Sequence, residues 1–385
     1  MAAYLIGDVH DHVCRSRHHI SSSRVWRGAA RLNTLTAMGR VLSLASAGVL
    51  TLAAALTAAA GPAGAADAST DNRGQAKKNW SCQTSPNPWL DRRVMNMAHS
   101  GGEHEFPMNT MYAFEESVAL GADMLELDIQ STADGHLVVI HNSTVDETTN
   151  GTGFVRDMTL DQLRALDAAH WFVPGRSAVH GLDSAAYPLR GAALGEVKVD
   201  GHQPKDFRIP TLREVFKAFP DVPINIEIKG TNDADVASFK RTGALLADYL
   251  AKEARCDIIV GSFNDAALAD FHQRAPQVPM SAARDAMFAY FLAGRPLPVG
   301  TVALQVPVTY AGIPVATRAF VARAHADGYA VHVWFSGSAP ETSATYNAMI
   351  DTCADGLMPA KPSLLESILD ARGIERPGVP GVDPC

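Results

Sequence analysis

Positive charge is scarce in this chain: its 385 residues carry 33 Lys and Arg against 41 Asp and Glu, a formal net charge of −8. Residues 1–65 hold six of the Arg with only two Asp, so the remainder is more acidic still. Nucleic acid and anionic membrane surfaces require clustered cations, and this balance excludes both as partners. Any phosphate chemistry must be local, with a bound cation supplying the positive charge. Cysteine is sparse too: there are five, none spaced as CxxC, which argues against a cysteine-ligated metal. No internal repeat is evident. Long apolar runs are limited to one, Val41 to Ala60, preceded by Met38-Gly39-Arg40 and followed by Gly-Pro-Ala-Gly-Ala-Ala.

That run has the positive start, apolar middle and small-residue end of a secretory signal, with cleavage expected near Ala65. A membrane-spanning helix is the rival, since about 20 residues cross a bilayer. The Ala, Thr and Ser content and the small residues that follow favour the signal, leaving no stable membrane span in the mature chain. Residues 1–37 lack periodic pattern and read as a non-native or untranslated extension ahead of a start at Met38. Asp8, His10, Asp11 and His12 lie in that extension and are not counted as a metal site. Cys14 is lost with it, so Cys82, Cys256, Cys353 and Cys385 remain, an even number suited to disulfides in an oxidising compartment. Three pairings are open. Residues 66–79 read as a polar linker and residues 80–385 as one domain, long enough for a single barrel.

Short apolar runs alternate with helical patterns through that domain. Strands are expected at Val94–His99, Met124–Gln130, Ile224–Lys229, Ile258–Phe263, Pro279–Ala283, Val302–Val306, Ala330–Phe335 and Gly356–Met358. Between them fall helices at Thr110–Leu120, Leu212–Phe219, Asp233–Ala254, Ala266–Arg274, Arg318–Asp327 and Glu341–Cys353. Eight such units close a TIM-type (β/α)8 barrel of parallel strands. Leu137–His141 follows its predecessor too closely for a crossover, and Asp134-Gly135 marks a hairpin. A turn centred between Ala133 and Asp134 sets His141 opposite Glu126, and a slip of one residue reverses this. The irregular stretch 142–221 reads as an insertion at the barrel mouth.

In Met124-Leu125-Glu126-Leu127-Asp128-Ile129-Gln130 the carboxylates alternate with apolar residues, so Glu126 and Asp128 share a strand face. Like charges side by side repel unless a cation lies between them. Ile224-Asn225-Ile226-Glu227-Ile228-Lys229 repeats the pattern, and Glu126, Asp128 and Glu227 together make an oxygen-rich site for one Mg2+ or Ca2+. His99 ends its strand before Gly101-Gly102, where barrel enzymes place catalysis. Trp334 either walls a substrate pocket or packs the barrel. The other histidines, among them His104, His136, His170, His180, His202, His272, His325 and His332, read as surface or core residues.

Ala98-His99-Ser100-Gly101-Gly102, Pro107-Met108-Asn109-Thr110, Gly121 to Asp128, Asp134 to Asn142 and Thr148 to Gly153 resemble the glycerophosphodiester phosphodiesterase family in order and spacing. Ile226-Glu227-Ile228-Lys229, Gly261-Ser262-Phe263, Val331 to Trp334 and Asp355-Gly356 continue the match. The resemblance implies a metal-dependent barrel enzyme that splits a phosphodiester, with Glu126, Asp128 and Glu227 on the metal. It also makes His99 and His141 the acid–base pair and sets Lys229 on the phosphate. Three positions depart from the family: Ser100 where Arg is usual, Met108 where a metal-binding Glu is usual, and Asn142 where Asp is usual. Glu103 or Glu105 is the substitute ligand in the same loop. A glycerophosphodiester is the first substrate expected. The runner-up is a lysophospholipid or sphingomyelin, with an apolar groove along Met287 to Leu297 formed by Phe288, Tyr290, Phe291 and Leu292. A non-catalytic ligand-binding barrel is the remaining reading.

Overall fold

Ile at every second position of Ile224–Ile228 serves a strand that must face helices on one side and a barrel interior on the other. The computed structural model of the protein describes residues 87–90, 92–253, 255–376 and 385. The stretches expected as an extension, a signal and a linker, and Cys82 with them, lie outside the described residues. Among those described, no helix is long and apolar enough to cross a membrane.

The main sheet contains β1 (Met95–Ala98), β2 (Met124–Ser131), β3 (Leu137–Val139), β4 (Ile224–Ile228), β5 (Ile258–Gly261), β6 (Met280–Ser281), β7 (Thr301–Pro307), β8 (Ala330–Trp334) and β9 (Gly356–Met358). Eight of these run parallel and close on themselves, because β1 pairs with both β2 and β9. The fold is the expected TIM-type barrel. Leu125, Leu127, Ile129, Ile224, Ile226 and Ile228 join Phe114, Leu246 and Phe271 from the helices in the largest apolar cluster. Leu304, Val306, Val331, Val333 and Leu357 do the same with Phe320, Tyr346 and Leu365 on the other half of the barrel, while Met95, Met97, Met124, Ile259, Ala303 and Ala330 form a separate cluster. The acidic residues of β2 and β4 thus sit on the face that turns away from the helices.

The hairpin strand β3 is present but shifted. Ile129 pairs with Val139 and Ser131 with Leu137, one residue off the expected register. Thr132 N–H bonds His136 O at 3.0 Å around a three-residue loop with Gly135 at φ 83°. A three-residue loop with a left-handed glycine wins over the two-residue turn, so His141 is not laddered opposite Glu126. The strand stops at Val139, and His141 lies two residues beyond it.

Residues 142–221 make a segment of short elements, among them the helices Leu160–Arg164 and Leu212–Ala218. His202 ties it to the helix Met111–Ala119 through Glu115 at 3.2 Å and Glu116 at 2.9 Å. Two helices were not anticipated. Pro362–Arg372 carries Pro at its first turn and ends at a left-handed Gly373. The other, Arg284–Ala293, takes most of the stretch expected to line an apolar groove. Tyr290 is buried there, Phe291 packs on Phe320 and Phe288 on Tyr310, while Leu292 is exposed. Tyr290 and Phe291 thus pack on the helix Arg318–Ala326 and Phe288 on the short strand Thr309–Tyr310. Cys353 is joined to Cys385, with Cα atoms 5.7 Å apart, and Cys256 is also disulfide-bonded.

Candidate active site

Parallel register sets Asp128 beside Glu227 and Glu126 beside Asn225 on adjacent strands. Oxygens of Glu126, Asp128 and Glu227 converge within 4.8 Å of one another. Their balancing charge is small. Lys229 Nζ lies 2.8 Å from Glu227 Oε1 and 3.3 Å from Asp128 Oδ1, one ammonium against three carboxylates. Burial, with Asp128 beside it, pushes the Glu126 carboxyl up. Burial opposes ionisation of Asp128 as well, but the Lys229 ammonium, with the Asn109 amide, holds it well below the usual carboxylate range. Burial opposes the Lys229 charge, and Glu227 and Asp128 more than compensate, holding the ammonium above its ordinary value. A hard oxygen donor set with a deficit of positive charge fits a divalent cation.

The loop after β1 supports these acids. Ser100 is buried at φ 46°; its N–H donates to Glu126 at 2.7 Å and its Oγ to Asp128 at 3.1 Å. Asn109 Nδ2 donates to Asp128 at 2.9 Å while its Oδ1 accepts the Asp128 N–H at 3.3 Å. Asn109 was missed as a site residue, although Pro107-Met108-Asn109-Thr110 marked its place. Ser100 bonds the carboxylates of Glu126 and Asp128.

The two imidazoles flank this cluster. His99 Nε2 lies 4.0 Å from Glu126 Oε2, while Nδ1 meets Glu103 Oε2 at 3.0 Å. Burial alone pulls the His99 imidazole down, but the Glu103 and Glu126 carboxylates outweigh it and hold it well above its ordinary value. His141 reaches the cluster from beyond its strand: Nε2 lies 3.2 Å from Lys229 Nζ, and Nδ1 is hydrogen-bonded to Asn142 Oδ1. An ammonium has no lone pair, so the bond requires an unprotonated Nε2 and a proton on Nδ1. Glu105 does not join the site; it accepts from Ser363 N–H at 3.1 Å and from the Ser363 hydroxyl. Glu103 faces His99. Trp334 is half-buried and packs edge-on to Phe263 at 6.2 Å. Phe263 is 42% exposed, and its ring lies 5.7 Å from Lys229 Nζ. Trp334 therefore packs against Phe263, an aromatic neighbour of the Lys229 ammonium that sequence reasoning did not single out.

A closed parallel barrel with acids, an ammonium and imidazoles at the carboxyl ends of its strands is built as a TIM-barrel enzyme is built. Residues 99–358 match the profile of the Glycerophosphoryl diester phosphodiesterase family, and the chain belongs to that family. Over 188 residues, 48% of this chain, it is 37% identical to a glycerophosphodiester phosphodiesterase of Caldanaerobacter subterraneus subsp. tengcongensis, and the match covers 65% of that protein. A glycerophosphodiester phosphodiesterase of Bacillus subtilis is 31% identical over 49% of this chain and 58% of its own length. The chain spans less than two thirds of these relatives' length. The fold is similar to an Oleispira antarctica phosphodiesterase solved in complex with the product sn-glycerol-3-phosphate, with TM-score 0.53, 20% identity and coverage of 72% of this chain and 96% of that one. It is likewise similar to the glycerophosphoryl diester phosphodiesterase domain of a Mycobacterium tuberculosis protein, with TM-score 0.51, 21% identity and coverage of 71% and 98%.

Proposed function

We propose that this chain is a divalent-cation-dependent phosphodiesterase that hydrolyses glycerophosphodiesters to an alcohol and glycerol 3-phosphate. The observation that carries the reading is the meeting of three carboxylates, one ammonium and two oppositely partnered imidazoles at one end of the barrel. Glu126, Asp128 and Glu227 would hold Mg2+ or Ca2+, which offsets charge building on the phosphoryl oxygens. Lys229 donates to a phosphoryl oxygen. His141, with its Nδ1 proton kept by Asn142, accepts the proton of the attacking hydroxyl at Nε2. As the new O–P bond forms and the old one breaks, His99 gives its Nε2 proton to the departing alkoxide. Where the attacking group is the substrate's own glycerol hydroxyl, the product is a cyclic phosphate. Water then opens the ring, with the two histidines exchanging roles. Phe263 and Trp334 provide the wall for the alcohol.

The chain is further read as exported, a reading that the Cys353–Cys385 disulfide and the disulfide-bonded Cys256 support. The test of function is a product assay over glycerophosphodiesters and a lysophospholipid, with chelator and with each cation restored. The expected result is release of glycerol 3-phosphate that chelator abolishes and Mg2+ or Ca2+ restores. His99→Ala and His141→Ala should each reduce kcat on the order of a hundredfold or more with circular dichroism unchanged. Activity indifferent to chelator would overturn the metal assignment.

A further inference from the structure

The family's usual metal-binding Glu is replaced here by Met108, yet a buried carboxylate stands in the same loop at Glu103. Its neighbours define its use. Glu103 is 6% exposed, and its Oε2 lies 3.0 Å from His99 Nδ1. Glu126 lies on the other side of the ring, 4.0 Å from Nε2.

Local backbone explains how a residue four positions on returns to the imidazole. Ser100, Gly101 and Gly102 all have positive φ, 46°, 79° and 85°. A Cβ at Gly101 would fall 2.9 Å from Phe114 Cδ1, and one at Gly102 2.8 Å from Pro362 Cγ. Only glycine fits both places, and the tight left-handed coil they form folds Glu103 back against His99. The Gly102 N–H closes the turn on His99 O at 2.8 Å.

We propose that Glu103 is a positioning residue for the reaction: it holds the His99 ring by its Nδ1–H and so aims Nε2 at the scissile phosphodiester. The carboxylate works through His99 and not through the metal. This inference rests on the phosphodiesterase reading and specifies how one of its two imidazoles is oriented. A carboxylate behind a catalytic imidazole fixes both tautomer and ring direction, and loss of such an outer partner costs about 10- to 100-fold.

The test compares Glu103→Gln and Glu103→Ala, each alone and with His99→Ala, on glycerophosphocholine across cation concentrations. Glu103→Ala should lower kcat about 10- to 100-fold with KM and the half-saturating cation concentration unchanged. Glu103→Gln, which keeps an acceptor for Nδ1–H, should recover part of the loss. In the His99→Ala background, Glu103→Ala should cost nothing more, since groups that act as a unit are not additive. A raised cation requirement in Glu103→Gln would make Glu103 a metal ligand and overturn the proposal, as would the same loss in both backgrounds. An imidazole 15N spectrum of the wild-type protein decides independently of turnover: His99 should carry a proton on Nδ1, and a bare Nδ1 refutes it. An inert wild type with that proton in place would sink the proposed function and leave the Glu103–His99 pair standing.

Discussion

His99 and His141 differ in what stands behind them, a carboxylate in one case and a neutral amide in the other. Asn142 therefore has a testable consequence. In Asn142→Asp, a carboxylate placed against Nδ1 stabilises the imidazolium and raises the proton affinity of His141. The base must be unprotonated at Nε2, so the acidic limb of the kcat/KM profile should move to higher pH, by about one unit. A pH–rate profile measures this directly, and an unmoved acidic limb would count against His141 as the base. At this scale much was legible: alternation alone put Glu126 and Asp128 on one face, and Glu227 on a strand of the same kind. Glu103, Ser100 and Asn109 could not be assigned partners from sequence, because three consecutive positive φ angles decide where that loop turns.

The segments that frame the site are held by their own buried groups. Glu341, on the loop after β8, accepts from the Tyr346 hydroxyl and from Ala360 N–H at 3.3 Å. Burial pushes its carboxyl up to about 7 from an ordinary 4.5. Tyr346, His99, Glu103 and the Ala360 N–H act on it from the surrounding elements. A raised folded-state value means that the stability contributed by the protonated form is whole below about pH 4.5 and is lost as pH rises through about 7. Glu341→Gln keeps the acceptor for Tyr346 and removes the titration. Between pH 5 and pH 8 the unfolding free energy from denaturant titration should therefore fall less in the variant than in the wild type, by at most about 3 kcal/mol. An identical fall in both proteins would refute the assignment. Element positions were mostly readable from periodicity: β9 (Gly356–Met358) matches to the residue, and seven other barrel strands lie within their expected stretches or overlap them. The register of β3 was not, since a two-residue and a three-residue turn differ by one position around the same Asp134-Gly135. The Met287–Leu297 stretch misled for another reason: aromatic content reports burial and says nothing of whether the cover is substrate or a neighbouring helix.

For the whole molecule, closure of the barrel is what brings β1, β2 and β4 together and places the aromatic pair from the ends of β5 and β8 at the same mouth. The proposed export of the chain is tested at its N-terminus. N-terminal sequencing of protein recovered from the medium of an expressing host should begin near Ala65 or Ala66, and retention of an uncut chain inside the cell would contradict export. What the sequence by itself determined were local matters: the barrel class, from alternating strands and helices; the acidic triad, from period-two patterning; and the family, from motifs in order. Tertiary structure alone decided which carboxylate serves which group. Hydrogen-bond partners depend on side chains converging from strands and loops distant along the chain, and a one-residue register or a single left-handed turn redirects them with no change in composition or pattern.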